Sequence, residues 1–191
     1  AIEAACGSGL EGRVPVASYI EATKQLIALG RFRDALPIAL TAAKIYSTSA
    51  VVLLLVGVIN LRLGQVEDAE VALRESNLLD NRNCQVWAYQ ALVCLQAGSR
   101  RSEESDAALF QTLRLGLTAP HILRELATAF MASDKLQIAE DLIRRSLTSE
   151  LGGEALRRGS FSVTSSPVKT WQRKLSMSTR QCLRPPNTKE T

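Results

Sequence analysis

Histidine occurs once in the 191 residues, at His121, and aromatic residues make up only 5% of the chain. A lone imidazole excludes the multi-histidine ligand sets of common zinc centres. Cysteine is nearly as sparse: Cys6, Cys84, Cys94 and Cys182 are scattered with no C-x-x-C pair. Neither a metal site nor a disulfide framework is expected, and the thiols are read as reduced, in an intracellular compartment. The sequence also lacks a nucleophile elbow, a Gly-rich phosphate loop and any grouping of Ser, His and Asp that would assemble acid, base and nucleophile. An enzyme, a cofactor and a small-molecule substrate are therefore not expected, and His121, beside Pro120, is expected to be a solvated residue at a helix start.

Long apolar runs are missing as well. The longest, Ala50 to Ile59, is about half of the roughly 20 residues that a bilayer-spanning helix needs, so no membrane span is expected. The chain opens with Ala1 and shows no basic, apolar and small-residue series of a secretory signal, which reads as a fragment or a processed product.

What remains is rich in Ala and Leu: 46% of residues are hydrophobic and 22% charged, a balance that suits a folded, helical chain. Charge is uneven. Residues 1–150 hold 15 Lys and Arg against 17 Asp and Glu, whereas residues 151–191 hold 8 against 2, so the net +4 belongs to the C-terminal part. Residues 1–13 contain three glycines and read as a linker. Residues 151–191, with Gly152-Gly153 at their start and an excess of Ser, Thr, Arg and Pro, are expected to be a disordered basic tail.

Between these, residues 14–150 repeat. Gly30, Gly64 and Gly98 each follow one apolar helical stretch and precede another, at spacings of 34 and 34, and Asp134 stands 36 residues on. The extra two residues are placed in Ser99 to Ser105. With the turns in register, bulky Tyr19, Leu53, Trp87 and Leu123 fall eleven residues before each turn, and small Thr23, Gly57, Ala91 and Ala127 seven before. Ala35, Ala69, Ser105 and Ala139 follow the turns, and Ala39, Leu73, Leu109 and Ile143 come four residues later. Small side chains are needed where two packed helices cross, because bulk there forces the axes apart. This is the tetratricopeptide pattern. It predicts an all-α solenoid of about four helical hairpins, each burying one face on its partner and another on the next pair, in a right-handed superhelix. The terminal Pro of that pattern is absent, Asn60 stands at a normally aromatic place, and Pro37 falls inside a predicted helix, where it should introduce a kink.

In tetratricopeptide solenoids the first helix of each unit lines a concave surface, and partners are other proteins. Helical spacing assigns to this protein-binding groove Ile20 and Lys24, then Val51, Leu54, Val58 and Leu61, then Gln85, Ala88, Leu92 and Leu95, and finally Arg124, Thr128 and Met131. Its centre would be apolar, unless a neighbouring helix of the chain covers it. The Lys and Asn set by which some such domains hold a chaperone carboxylate is missing. In the tail, Arg157-Arg158-Gly159-Ser160 and Arg173-Lys174-Leu175-Ser176 match basophilic kinase patterns, making Ser160 and Ser176 possible phosphorylation sites whose added charge would cancel part of the basic field. Phe161 and Trp171 are too few for a base-stacking platform, which disfavours nucleic acid.

The stretch Ala69-Glu70-Val71-Ala72-Leu73-Arg74-Glu75-Ser76-Asn77-Leu78-Leu79-Asp80-Asn81-Arg82-Asn83, followed by Val86-Trp87-Ala88-Tyr89-Gln90-Ala91-Leu92-Val93-Cys94-Leu95, resembles the C-terminal repeats of the cilia- and flagella-associated protein 70 family. Leu113-Arg114-Leu115-Gly116-Leu117 is similar to the close of a repeat in that family. The resemblance implies a scaffold in the cytoplasmic ciliary or flagellar axoneme, with axonemal proteins as partners and a role in cilium assembly or motility. A soluble adaptor in a non-ciliary complex is the alternative.

Overall fold

A computed structural model of the chain describes residues 14–98 and 101–158, with residues 151–158 as backbone only. The described residues form eight α-helices and no strand: α1 Val16–Ala28, α2 Phe32–Ile45, α3 Ala50–Arg62, α4 Val66–Leu79, α5 Cys84–Gln96, α6 Ser102–Arg114, α7 Pro120–Ala132 and α8 Leu136–Arg158. Residues expected to be linker, and Ser160 and Ser176 of the expected tail, lie outside the described residues. The chain divides into two compact units, Ala1–Leu109 and Phe110–Thr191.

The turns form as the repeat predicts. Gly30, Gly64 and Gly98 have φ of +71°, +78° and +108°, and Asp134 takes the same left-handed region at +60°. Around Gly30, the amide of Arg31 donates to the Leu26 carbonyl at 2.9 Å and that of Gly30 to Ile27 at 3.0 Å. The same two-bond closure recurs at Gly64 and Asp134, where Gln65 donates to Asn60 at 2.9 Å and Lys135 to Phe130 at 3.0 Å. It satisfies carbonyls that a helix end otherwise leaves open, and its left-handed residue reverses the chain. Gly116, at φ +79°, closes α6 in this manner too. In three units the second helix begins two residues after the turn, at Phe32, Val66 and Leu136, but in the third it begins at Ser102, four after Gly98. The insertion therefore falls where the spacing placed it.

The turns at Gly30, Gly64 and Asp134 each fold a hairpin: α1 packs on α2, α3 on α4, and α7 on α8. The small positions of all four repeats are buried. Thr23, Ala91 and Ala127 are at most 1% exposed, as are Ala35, Ala69, Ser105 and Ala139. Gly57 is the tightest, since a Cβ there would lie 3.3 Å from the Ala69 carbonyl oxygen and closer still to Leu73. A further row of small residues, Ala42, Ser76, Thr112 and Ser146, is also at most 1% exposed. These stand seven residues beyond the previous row, two helical turns along the same seam. Ser76 Oγ donates to the Ala50 carbonyl at 2.8 Å, tying α4 to the start of α3.

Two expectations need correction. Ile143 is 37% exposed, and the core position in α8 is taken by Leu142 at 1%. The seam there runs Ala139, Leu142, Ser146, three and then four residues apart, whereas the other second helices step four and then three, as in Ala35, Ala39 and Ala42. The helix also does not end at residue 150: its backbone continues through Gly152 and Gly153 to Arg158. Two glycines cost a helix about 1 kcal/mol each relative to Ala, and Glu154, Ala155, Leu156, Arg157 and Arg158 beyond them are strong helix formers. Pro37 lies within α2 without ending it.

Candidate protein-interaction surface

The third helix decides what the expected groove can offer. Ten successive residues of α3, Val52 to Leu61, are buried, so this helix has neither a polar face nor an open apolar one. Of the residues expected at the groove centre, Leu54 is 5% exposed, Val58 6%, Leu61 4%, Ala88 0% and Leu92 2%. These side chains belong to the core. A helix that is apolar all round is an interior helix. The positions that do reach solvent are Lys24, Val51, Gln85, Arg124, Thr128 and Met131, while Ile20 and Leu95 are half-buried. Among these Arg124 pairs with Glu150 within the second unit.

A distinct opening lies on the other side of α3. Leu36, Leu40 and Ala43 of α2 and Asp68, Val71, Ala72 and Glu75 of α4 wall an open groove of about 540 Å³, with Leu53, Val56 and Asn60 of α3 forming its floor. Leu40 and Val71 are 43% and 57% exposed. Asn60 is 6% exposed. The charged groups lining the groove, Asp68 and Glu75, are both acidic. Sequence reading missed this surface because it assigned only first helices to binding; the combination of Asn60 at an aromatic place with Leu40 and Val71 on second helices was the available signal.

The joint between the second and third hairpins is held by charge. Arg101 Nη1 and Nη2 donate to the two carboxylate oxygens of Glu70 at 2.7 and 2.9 Å, and its Nε and Nη2 donate to Glu104 at 2.8 and 2.6 Å. Hydrogen bonding from Arg101 holds the Glu70 carboxyl below the usual carboxylate range, against the opposing effect of burial. The same carboxylates hold the guanidinium more firmly charged. Cys94 Sγ lies 3.8 Å from Glu104, and burial pushes its thiol up from the ordinary range, so it stays a neutral thiol rather than a reactive thiolate.

The Asn-rich turn before α5 is a built entry. Asn83 Oδ1 caps the helix by accepting from the Gln85 amide at 3.0 Å, Asp80 Oδ1 accepts from the Arg82 amide at 3.0 Å, and the Trp87 indole donates to the Asn81 carbonyl at 2.9 Å. Each polar residue thus satisfies a backbone group that the turn would leave open. His121 is exposed in the first turn of α7, after Pro120. No group of three or more His, Cys, Asp or Glu residues that could hold a metal ion occurs among the described residues, and no described helix is long and apolar enough to cross a membrane.

Helical hairpins repeating at 34 residues, closed by left-handed turns and crossed at small residues, define a tetratricopeptide-type repeat protein. Two crystal structures of MamA have the same fold, each with a TM-score of 0.55 at 16% identity; one is matched over 73% of this chain and 81% of MamA, the other over 78% and 79%. The family model of the cilia and flagella-associated protein 70 C-terminal domain matches residues 2–166, and the chain belongs to that family. Over 82 residues it is 40% identical to cilia- and flagella-associated protein 70 of Macaca fascicularis and of Homo sapiens. That stretch is 43% of this chain but 8% and 7% of those proteins, so the chain spans a small part of the curated relatives' length.

Proposed function

We propose that this chain is a protein-binding scaffold module of the ciliary or flagellar axoneme, contributing to cilium assembly or motility by holding other axonemal proteins. The observation that carries the reading is the family match over residues 2–166, which includes parts of both compact units. The fold supports it: paired helices on rigid small-residue crossings present fixed side chains to a partner without building a reaction centre. The exposed first-helix positions, Lys24, Val51 and Gln85 in the first unit and Arg124, Thr128 and Met131 in the second, are where such a partner would touch. The buried Leu54, Val58, Leu61, Ala88 and Leu92 would contribute by keeping the helices in place rather than by contact.

Fractionation of isolated cilia tests the assignment. The protein should stay with the detergent-extracted axoneme and be released only with structural components. Recovery in the soluble matrix, or absence from cilia, would favour a soluble adaptor of a non-ciliary complex.

A further inference from the structure

We propose that the groove between α2 and α4 is a second docking surface, which seats one face of a basic amphipathic helix from another protein. The groove lies wholly within the first compact unit. It is built of other residues than the exposed first-helix positions assigned above, and the proposal does not rest on the ciliary assignment.

The two walls differ in kind. On α2, Leu36, Leu40 and Ala43 recur at four and three residues, so one helical face supplies an apolar wall. On α4, Asp68, Val71 and Glu75 recur at three and four, and this wall reads acid, apolar, acid. Both carboxylates are exposed, and Leu40 and Val71 reach solvent at the lips. Leu53 and Val56 of α3 close the floor at 8% and 5% exposed. Arg33, Lys44 and Arg74, the cations of the two helices, lie outside the lining, and Arg74 pairs with Glu70.

These features define the occupant. An apolar groove that is open along its length takes the apolar face of a helix, and a rim charged with one sign rejects an acidic segment and draws a basic one. Asp68 and Glu75 are seven residues apart, about two turns and roughly 10 Å along the wall. A partner helix running alongside α4 meets both carboxylates with cations at the same seven-residue step. Between those cations it turns apolar residues, at steps of three or four, toward Leu36 and Leu40. An extended strand would cover the same roughly 10 Å in about three residues, an odd step that points the second cation to the opposite side. The volume of about 540 Å³ holds side chains rather than a whole helix, so the partner is seated by one face and keeps the rest of its surface in water.

The probe is a fluorescein-labelled synthetic helix of about fifteen residues, about four turns, with leucines on one face and lysines beside them at seven-residue steps. Titrated with the full chain, it should show a saturable rise in anisotropy. A peptide with glutamate at every lysine should bind at least about tenfold more weakly. Asp68→Lys with Glu75→Lys should weaken the lysine peptide at least about tenfold and strengthen the glutamate peptide. Leu40→Ser with Val71→Ser should weaken the lysine peptide severalfold while leaving its salt dependence as it was. Circular dichroism checks that each variant is folded. Where the double reversal does not fold, Asp68→Asn with Glu75→Gln removes the same charges and should weaken binding severalfold. The proposal is overturned if neither peptide binds, or if the two bind alike. It is also overturned if the lysine peptide is indifferent to either change of the walls, which would put it elsewhere on the chain. A full chain that self-associates until the rim is reversed would overturn it too, since the occupant would then be a second copy.

Discussion

Gly57 of α3 stands so close to Leu73 of α4 that a Cβ on the glycine would lie 2.6 Å from Leu73 Cγ and 2.8 Å from Cδ2. Leu73 is 0% exposed, so moving it away disturbs the packed core around it. Alanine is the better helix former by about 1 kcal/mol, yet Gly57→Ala should destabilise the protein by about 1–3 kcal/mol through overpacking. Urea unfolding measures this, and Leu73→Ala in the same chain should make the added methyl less costly than it is alone.

Glu70 and Arg101 give a pH signature. Because the folded protein holds the Glu70 carboxyl below its ordinary value, the pair contributes stability in full above the ordinary carboxylate pKa. That contribution falls as pH drops through the lower folded value. The two side chains are 24% and 25% exposed, so Glu70→Gln should cost only about 1 kcal/mol at neutral pH. Parent and variant stabilities should converge in acid, as read from urea midpoints across that range.

Asp134 takes the left-handed conformation that glycine occupies at three equivalent turns. Asp134→Gly should stabilise the protein by up to about 1 kcal/mol by relieving the Cβ contact, and Asp134→Ala should not. Thermal unfolding of the two variants side by side checks the order.

Val58 and Val51 occupy one helix and were expected on one surface, but they differ in kind. Val58→Asp buries an unpaired carboxylate at a site 6% exposed and should cost on the order of 3–5 kcal/mol. Val51, 39% exposed in the first turn of α3, should accept Asp within about 0.5 kcal/mol. Circular dichroism melts separate the two, and Val51→Asp is then the variant to use in partner recovery.

Much of the fold was legible because the repeat places chemically unusual residues at fixed steps. Gly30, Gly64 and Gly98 mark turns that need a left-handed residue, and Ala35, Ala69 and Ala139 mark crossings that exclude bulk. The row Ala42, Ser76, Thr112 and Ser146 repeats at the same spacing and was equally available. It was overlooked because two serines and a threonine on a helix look like solvent-facing residues until their hydroxyls are seen bonded within the fold, as Ser76 is to Ala50.

The surface was less legible, for identifiable reasons. In α3 the run Ala50 to Ile59 is apolar on every face, so no polar stripe marks an outward side. Leu142 and Ile143 are adjacent and both apolar, and steps of three or four residues fit a helix equally well, so the pattern does not choose between them. The groove beside Asn60 is made by α2, α3 and α4 together, and no one segment displays it.

The most direct test of the account compares Ala69→Leu with Val71→Leu on the same helix, by urea unfolding of the full chain. Ala69 is 0% exposed at the α3 crossing and Val71 57% exposed beside it. Ala69→Leu should lose at least about 2 kcal/mol from overpacking, while Val71→Leu should change stability by less than about 0.5 kcal/mol. Equal effects, or a tolerated leucine at Ala69, would contradict a fold held together by small residues at its helix crossings.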